Sequence, residues 1–152
     1  MKKVHVEGDI AINRPQKDVF AFVAQPNNLT EWVGPIIEVT SDAPNEAPAL
    51  GSAFTIVQKF LGRHLTSPCE IVVLEPDRRF VYRTTGGPVP LTFTLLLRDA
   101  TPGTLLSYTA EGEPGTFFSL VGPLFEKAAN RQLTNDLETL KDLLESRTEL
   151  NA

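Results

Sequence analysis

The sequence NRPQKDVFAFVAQPNNLTEW, residues 13–32, is the stretch that decides the fold. Pro15 stands where a helix can begin, because a proline in the first turn has no N–H to leave unpaired. Apolar residues at helical spacing support this first helix: Val19, Phe20, Phe22 and Val23. Pro26 then ends it, and the two asparagines that follow provide a turn or a new cap before Trp32. The segment therefore predicts two short helices that meet at a proline.

Alternating apolar and polar residues predict strands on both sides of this segment. The clearest case is residues 91–98, where an apolar side chain recurs at every second position. The predicted strands are residues 4–12, 36–40, 51–60, 65–75, 80–85, 91–98 and 104–113, with a loop over 41–51. Most are joined by short turns, which are too short for a parallel crossover. Successive strands are therefore expected to be antiparallel neighbours in a meander.

The C-terminal part of the chain has the periodicity of one long helix over residues 117–146. Its apolar stripe is made of leucines: Leu133, Leu137, Leu140 and Leu144. Pro123 lies inside this pattern and is expected either to kink the helix or to mark its true start. Residues 147–152 are polar and are expected to form a frayed tail. Residues 1–146 would then make up a single domain.

Together these elements predict an α+β domain with a curved, seven-stranded antiparallel sheet that grips the long C-terminal helix. The two short helices follow the first strand. A sheet of this size twists enough to wrap around a helix as long as the domain is wide. Whether side chains fill the space inside the grip is left open by these patterns.

Several short motifs resemble those of one protein superfamily. They are Pro15, Val19-Phe20, Val23, Pro26, Trp32 and Pro35 in the opening segment, then Gly51-x-x-Phe54, EPDRRF at 75–80, YRTTGG at 82–87 and GPL at 122–124. In their order and spacing they resemble the polyketide cyclase/dehydrase-like branch of the START-related (SRPBCC, helix-grip) superfamily. The resemblance covers nearly the full length of the chain. It implies a hydrophobic ligand cavity between the sheet and the C-terminal helix.

The composition narrows the possible partners. With 152 residues and a net charge of −5, the chain fits one acidic domain, which argues against a nucleic-acid partner. No apolar run approaches the ~18 residues that span a bilayer, and no signal-peptide pattern is present. Cys69 is the single cysteine, so a reducing compartment is expected. We therefore expect a cytoplasmic protein, monomeric or homodimeric, without stable membrane insertion.

The sequence offers little for metal or cofactor chemistry. His5 and His64 are far apart and there is one cysteine, so a dedicated metal site is not expected. Glycine-rich phosphate loops and the G-x-S-x-G and H-E-x-x-H motifs are absent from the sequence. We therefore expect no cofactor, and nothing indicates phosphoryl transfer or triad hydrolysis.

Three side chains are candidates for catalysis: Tyr82, Tyr108 and His64. Tyr82 shares a strand face with Phe80 and is expected to point toward the helix, where its hydroxyl would bond either a ligand or the backbone. The same two interpretations apply to Tyr108. His64 follows a turn and is either a general base or a solvated turn residue. Cys69 is expected to be a buried structural thiol.

Candidate ligand contacts come from both walls of the predicted grip. Trp32 would either line the mouth of the pocket or fix the second short helix to the sheet. Gln58 is a polar residue on an otherwise apolar strand face, which costs stability unless its amide is satisfied. Phe118 would either cover the entrance or belong to the core. The full set is Phe22, Trp32, Phe54, Ile56, Gln58, Tyr82, Phe93, Tyr108, Phe118, Leu124, Phe125 and Ala128.

Three functions are compatible with these patterns. The first is binding of a hydrophobic small molecule, such as a lipid, fatty acyl, isoprenoid or aromatic polyketide-like compound. The second is cyclase- or dehydratase-type catalysis on such a ligand, although no carboxylate pair or His–acid dyad is evident on one inward face. The third is a protein-interaction module, such as a co-chaperone or a toxin–antitoxin-like partner, which predicts a filled core and an exposed apolar patch.

Overall fold

The computed structural model describes residues 4–41, 47–60, 62–112 and 116–150, without the side chains of 116–122 and 148–150. Its strands are β1 (Val4–Ile12), β2 (Ile36–Ser41), β3 (Ala53–Phe60), β4 (Arg63–Glu75), β5 (Arg79–Thr84), β6 (Leu91–Ala100) and β7 (Gly103–Gly112). Its α-helices are α1 (Gln16–Val23), α2 (Leu29–Trp32) and α3 (Thr116–Leu150), with a 3-10 turn at Pro26–Asn28. Part of the predicted loop, residues 42–46, lies outside the described residues.

All seven strands form one antiparallel sheet in the order β1-β7-β6-β5-β4-β3-β2. Strands β2 to β7 follow one another as a meander, and β1 returns to pair with β7. The first two strands therefore lie at opposite edges of the sheet, and α1 and α2 connect them. The predicted α+β helix-grip architecture is confirmed.

The two short helices form as the opening segment predicts. The carbonyl of Pro15 accepts the N–H of Val19 at 3.1 Å, which starts α1, and the four large apolar side chains of α1 are buried. Pro26 opens the 3-10 turn, and the side-chain amide of Asn28 donates to the carbonyl of Phe22 at 3.0 Å. This bond satisfies a carbonyl at the end of α1 and fixes the direction in which α2 leaves.

Helix α3 packs chiefly against β1, through the predicted leucine stripe. The four leucines from Leu133 to Leu144 are all buried. The helix approaches β1 closely at Gly8, where an added Cβ would lie 3.2 Å from the side chains of both Leu133 and Leu137. Glycine at this position thus permits the leucine stripe to reach the sheet.

The observed bounds of α3 bear on two expectations. Pro123 does not mark the start of the helix, which begins at Thr116 and continues through the proline. The tail expected from residue 147 is helical as far as Leu150. Arg147 gives the physical reason, because its guanidinium lies 2.9 Å from Glu31 and 4.8 Å above the ring of Phe22. These contacts tie the last described turns of α3 to α1 and α2.

Candidate functional site

A cavity of about 260 Å³ lies between the inner face of the sheet and the first half of α3. Small side chains on facing elements leave this space, because Ala128 and Ala129 on α3 and Ala110 on β7 cannot fill it. The wall is completed by Val6, Val33, Pro35, Ile36, Gln58, Lys59, Phe60, Leu65, Leu91, Phe93, Tyr108, Phe125, Gln132, Leu133 and Asp136. The wall is therefore mostly apolar, with a few polar groups.

Aromatic rings make up much of the apolar wall. Phe60 and Phe125 meet edge to face with their ring centroids 5.2 Å apart, which brings β3 and α3 together. Phe93 presents one face to the cavity region and stacks on Tyr82 at 4.6 Å. Lys59 and Ala128 also line the cavity and are exposed to solvent. The mouth of the cavity therefore lies at this side, between β3 and α3.

The part of the cavity wall near the start of β2 holds a buried carboxylate. Asp136 is only 6% exposed, and its Oδ1 accepts the backbone N–H of Gly34 at 3.0 Å and the side-chain amide of Gln132 at 2.9 Å. A Cβ at Gly34 would lie 2.6 Å from the amide nitrogen of Gln132. Glycine therefore lets the chain between α2 and β2 approach this pair closely.

Burial shifts the protonation of both Asp136 and Tyr108, and the charge of Asp136 adds to the shift of Tyr108. Burial raises the pKa of the Asp136 carboxyl above its usual range, although the hydrogen bonds from Gln132 and Gly34 oppose this shift. Burial also raises the pKa of the Tyr108 hydroxyl, and the nearby charge of Asp136 raises it further. A phenol and a carboxylate thus share one part of the cavity wall, and the phenol is protonated at neutral pH.

Five of the predicted ligand contacts line this cavity: Gln58, Phe93, Tyr108, Phe125 and Ala128. Six others lie off its wall: Phe22, Trp32, Phe54, Ile56, Tyr82 and Leu124. Phe118 has its side chain outside the described part of the structure. The roles of all twelve in ligand binding stay predictions.

The residues that lie off the wall belong to the packed core or to the surface. Trp32 is buried and meets the ring of Tyr108 edge-on at 6.1 Å, so it fixes α2 to the sheet and does not line the mouth. Tyr82 lies behind Phe93 in the core. Leu124 is 53% exposed, because it neighbours Phe125 on a helix and so faces another direction.

Of the three candidate catalytic residues, Tyr108 alone is on the cavity wall. His64 is exposed near the start of β4. Burial raises the pKa of Tyr82 well above its usual value, with smaller contributions from Tyr108 and Cys69. Burial likewise raises the pKa of the Cys69 thiol to about 12, so this cysteine is an inert core residue, as expected.

Sequence reasoning missed Asp136 and Gln132, although the pattern contained a signal for the first. Asp136 comes three residues after Leu133 and one before Leu137, within the leucine stripe of α3. A carboxylate at a core-facing helical position is rare unless it is paired or functional. That position marks Asp136 as a residue with a particular partner or role.

The described residues lack two further features. They contain no group of three or more His, Cys, Asp or Glu side chains placed to hold a metal ion. None of their helices has the length and apolar character needed to cross a membrane.

A curved antiparallel sheet around a C-terminal helix, with a cavity between them, defines the helix-grip class of domains. The model of the family described as polyketide cyclase/dehydrase and lipid transport matches residues 3–145. The chain therefore belongs to this family, and the resemblance seen in the sequence motifs is confirmed. Among curated proteins, none matches the sequence significantly.

Solved structures show the same fold at low sequence identity. The Zhui aromatase/cyclase from a Streptomyces species superposes with a TM-score of 0.78 at 16% identity, over 97% of this chain and 96% of that chain. A Thermus thermophilus protein gives 0.77 at 14% identity, over 93% and 97%. A START superfamily protein from Mycobacterium smegmatis gives 0.74 at 14% identity, again over 93% and 97%. At these identities the likeness concerns the fold alone.

Proposed function

We propose that this protein binds a small hydrophobic molecule in the cavity between the sheet and α3. The observation that carries the proposal is the cavity itself, which is left open by alanines, whereas the leucines further along α3 are buried in the core: Leu137, Leu140 and Leu144. Its volume of about 260 Å³ is just below the ~300 Å³ at which typical ligand sites begin, so the ligand is a small one. Membership of a family that includes lipid-transport proteins is consistent with this proposal.

The apolar surface of the cavity supplies the driving force for binding. Apolar side chains that line a cavity make fewer dispersion contacts than they would in a packed core. Phe93 and Leu133 line the cavity in this way. A ligand of matching shape restores these contacts and leaves water at the same time, so that apolar burial drives its binding.

Filling the cavity by mutation tests the proposal. In Ala129→Leu, the added methyl groups occupy the space next to Phe125, whereas Ala21→Leu adds the same groups to an exposed position of α1. A ligand found by mass spectrometry of co-purified material, or from a hydrophobic panel, should stabilise wild type and Ala21→Leu by about 2.7 kcal/mol at 100 times Kd. Ala129→Leu should lose this stabilisation. Equal stabilisation of all three proteins would place the ligand elsewhere.

A cyclase- or dehydratase-type activity is the second candidate, and one observation favours it. The hydroxyl of Tyr108 and the carboxylate of Asp136 share the cavity wall and are electrostatically coupled. A protonated phenol can polarise a ligand carbonyl, and a buried carboxylate can accept a proton. Tyr108→Phe should then abolish turnover while ligand binding is retained. An unchanged rate, with a ligand that is seen to turn over, would exclude Tyr108 from the reaction.

The third function, a protein-interaction module, predicts a filled core. The cavity argues against it, and among the described side chains the exposed large apolar residues Ile37, Leu50 and Leu124 belong to separate elements or loops. A cytoplasmic location, and a monomeric or homodimeric state without a nucleic-acid partner, stay part of the proposal on the grounds of composition.

A further inference from the structure

The cavity is polarised along its length. Asp136 is eleven residues after Phe125 on α3, which places the two about 16 Å apart along the helix axis. The side near Phe125 and Phe60 is aromatic and opens to solvent at Ala128. A long molecule that enters at this side would therefore bring its leading end to Asp136.

The leading end would meet hydrogen-bonding groups. Tyr108 and Gln58 line the cavity together with Asp136 and its partner Gln132. Gln58 pairs with Ile36 in the β2–β3 ladder, close in sequence to Gly34, which donates to Asp136. These groups therefore gather where α2, β2 and α3 meet, and the apolar wall lies beyond them.

The charge at this end is negative. The charged residues on the cavity wall are Asp136 and Lys59. Lys59 is exposed to solvent between Gln58 and Phe60, whose side chains are less exposed, as the alternation of a strand predicts. Both hydrogen bonds that the described residues donate to Asp136 end on Oδ1, which leaves Oδ2 able to accept from a ligand. A ligand donor would meet an acceptor here, whereas a ligand carboxylate would meet a like charge in a poorly solvated place.

We propose that the cavity selects a small hydrophobic molecule headed by a hydrogen-bond donor, a hydroxyl or an ammonium group, and rejects the same molecule headed by a carboxylate. The inference rests on the proposed function, since it concerns the ligand of the same cavity. It excludes free fatty acids from the hydrophobic compounds that the family resemblance allows.

A matched series of octyl compounds tests this head-group preference. 1-Octanol, octylamine and octanoate share one apolar tail, and their binding is measured by calorimetry and by the shift in melting temperature at about pH 8. Octylamine should bind at least about tenfold more tightly than octanoate, a difference of about 1.4 kcal/mol. The comparison of octylamine with octanoate is the informative one, because each head group carries a unit charge and both must lose water to enter the cavity. 1-Octanol should also bind more tightly than octanoate.

Two variants separate the Asp136 carboxylate from the overall charge of the protein. Asp136→Asn keeps an oxygen that can accept from Gly34 and removes the charge, whereas Glu138→Gln removes a charge from an exposed position of the same helix. The preference for octylamine over octanoate should fall to about twofold or less in Asp136→Asn, and it should persist in Glu138→Gln. Circular dichroism verifies that both variants are folded.

The outcomes distinguish the two proposals. If octanoate binds wild type as tightly as octylamine, or if Asp136→Asn leaves the ratio unchanged, the head-group inference is overturned while ligand binding stands. If none of the three compounds binds below its solubility limit, the cavity does not accept a hydrophobic chain of this length. The proposed function then fails for such ligands, and the head-group inference fails with it.

Discussion

Two segments of α3 face the same sheet with opposite results. In the leucine segment, residues 137–144, Leu137, Leu140 and Leu144 are buried against β1 and leave no space. In the cavity segment, residues 125–136, the alanines at 128 and 129 face the sheet across an opening. One helix thus serves as a structural anchor along one part and as a cavity wall along the other. The difference is the volume of the side chains.

The largest expected loss of stability comes from truncating a leucine of the leucine segment. Leu140→Ala should lower the free energy of unfolding by about 2–5 kcal/mol, because Leu140 is fully buried and its removal leaves a new void. Phe125→Ala in the cavity segment should cost less, about 1 kcal/mol, because one side of its half-buried ring already faces a cavity. Urea denaturation measures both, with Thr139→Ala as the exposed control. Equal losses for Leu140 and Phe125 would show that the two segments are packed alike.

Adding a side chain at a glycine that faces each segment should also distinguish the two segments. Gly8→Val should cost about 1–3 kcal/mol, because any Cβ there is already 3.2 Å from two buried leucines that have little room to move. Gly34→Ala should cost about 1 kcal/mol, because the clashing group is the mobile end of Gln132, and its movement sacrifices one hydrogen bond to Asp136. The same denaturation measurement applies. A larger loss of stability for Gly34→Ala than for Gly8→Val would mean that the surroundings of Gln132 and Asp136 are more rigid than those of the leucines at Gly8.

Asp136 should make stability fall as the pH rises. Its folded-state pKa is raised, so the folded protein holds the proton more tightly than the unfolded chain does. The proton's stabilising contribution is complete below the ordinary Asp pKa of about 3.9 and is lost as the pH rises through the higher folded-state pKa. The stability of wild type relative to Asp136→Asn should therefore decline over this interval and level off above it.

The control for this pH dependence is Glu138→Gln. The stability of wild type relative to Glu138→Gln should show no such decline. The groups that face Asp136 do not complicate the interval, because Tyr108 has a raised pKa and stays protonated throughout. Gln132 and Gly34 do not titrate. A wild-type stability that rises with pH relative to Asp136→Asn would show that the hydrogen bonds to the carboxylate outweigh its burial.

The sequence predicted the fold well because the fold depends on periodicity. Alternation in residues 91–98 and the leucine spacing of α3 each leave one arrangement that buries the apolar side chains. The break at Pro26 is local stereochemistry and is equally visible. Periodicity did not locate two irregularities: β2 shifts register between Ile36 and Glu38, and β4 shifts between Ile71 and Val73, where a bulge inverts the faces beyond it.

The site was predicted less well because a cavity depends on distances between elements. Tyr108 and Tyr82 have similar strand patterns, and Phe93, which stacks on Tyr82, determines that Tyr108 lines the cavity while Tyr82 lies in the core. Asp136 was missed because its partner Gly34 is 102 residues away in the chain. Periodicity assigns a residue to a face, but it does not say which facing side chains are too small to meet.

The smallest expected loss of stability comes from replacing Arg147, which follows the leucine segment on α3. Arg147→Gln removes an ion pair with Glu31 at 2.9 Å and a cation–π contact with Phe22 at 4.8 Å. Both ion-pair side chains are partly exposed, so the loss should be about 0.5–1 kcal/mol. Arg131→Gln, at an exposed position of the same helix, should cost less. Hydrogen exchange in the last turns of α3 should rise in Arg147→Gln alone, because these contacts hold that end on α1 and α2. Unchanged exchange would mean that the leucine segment alone keeps the end of α3 folded.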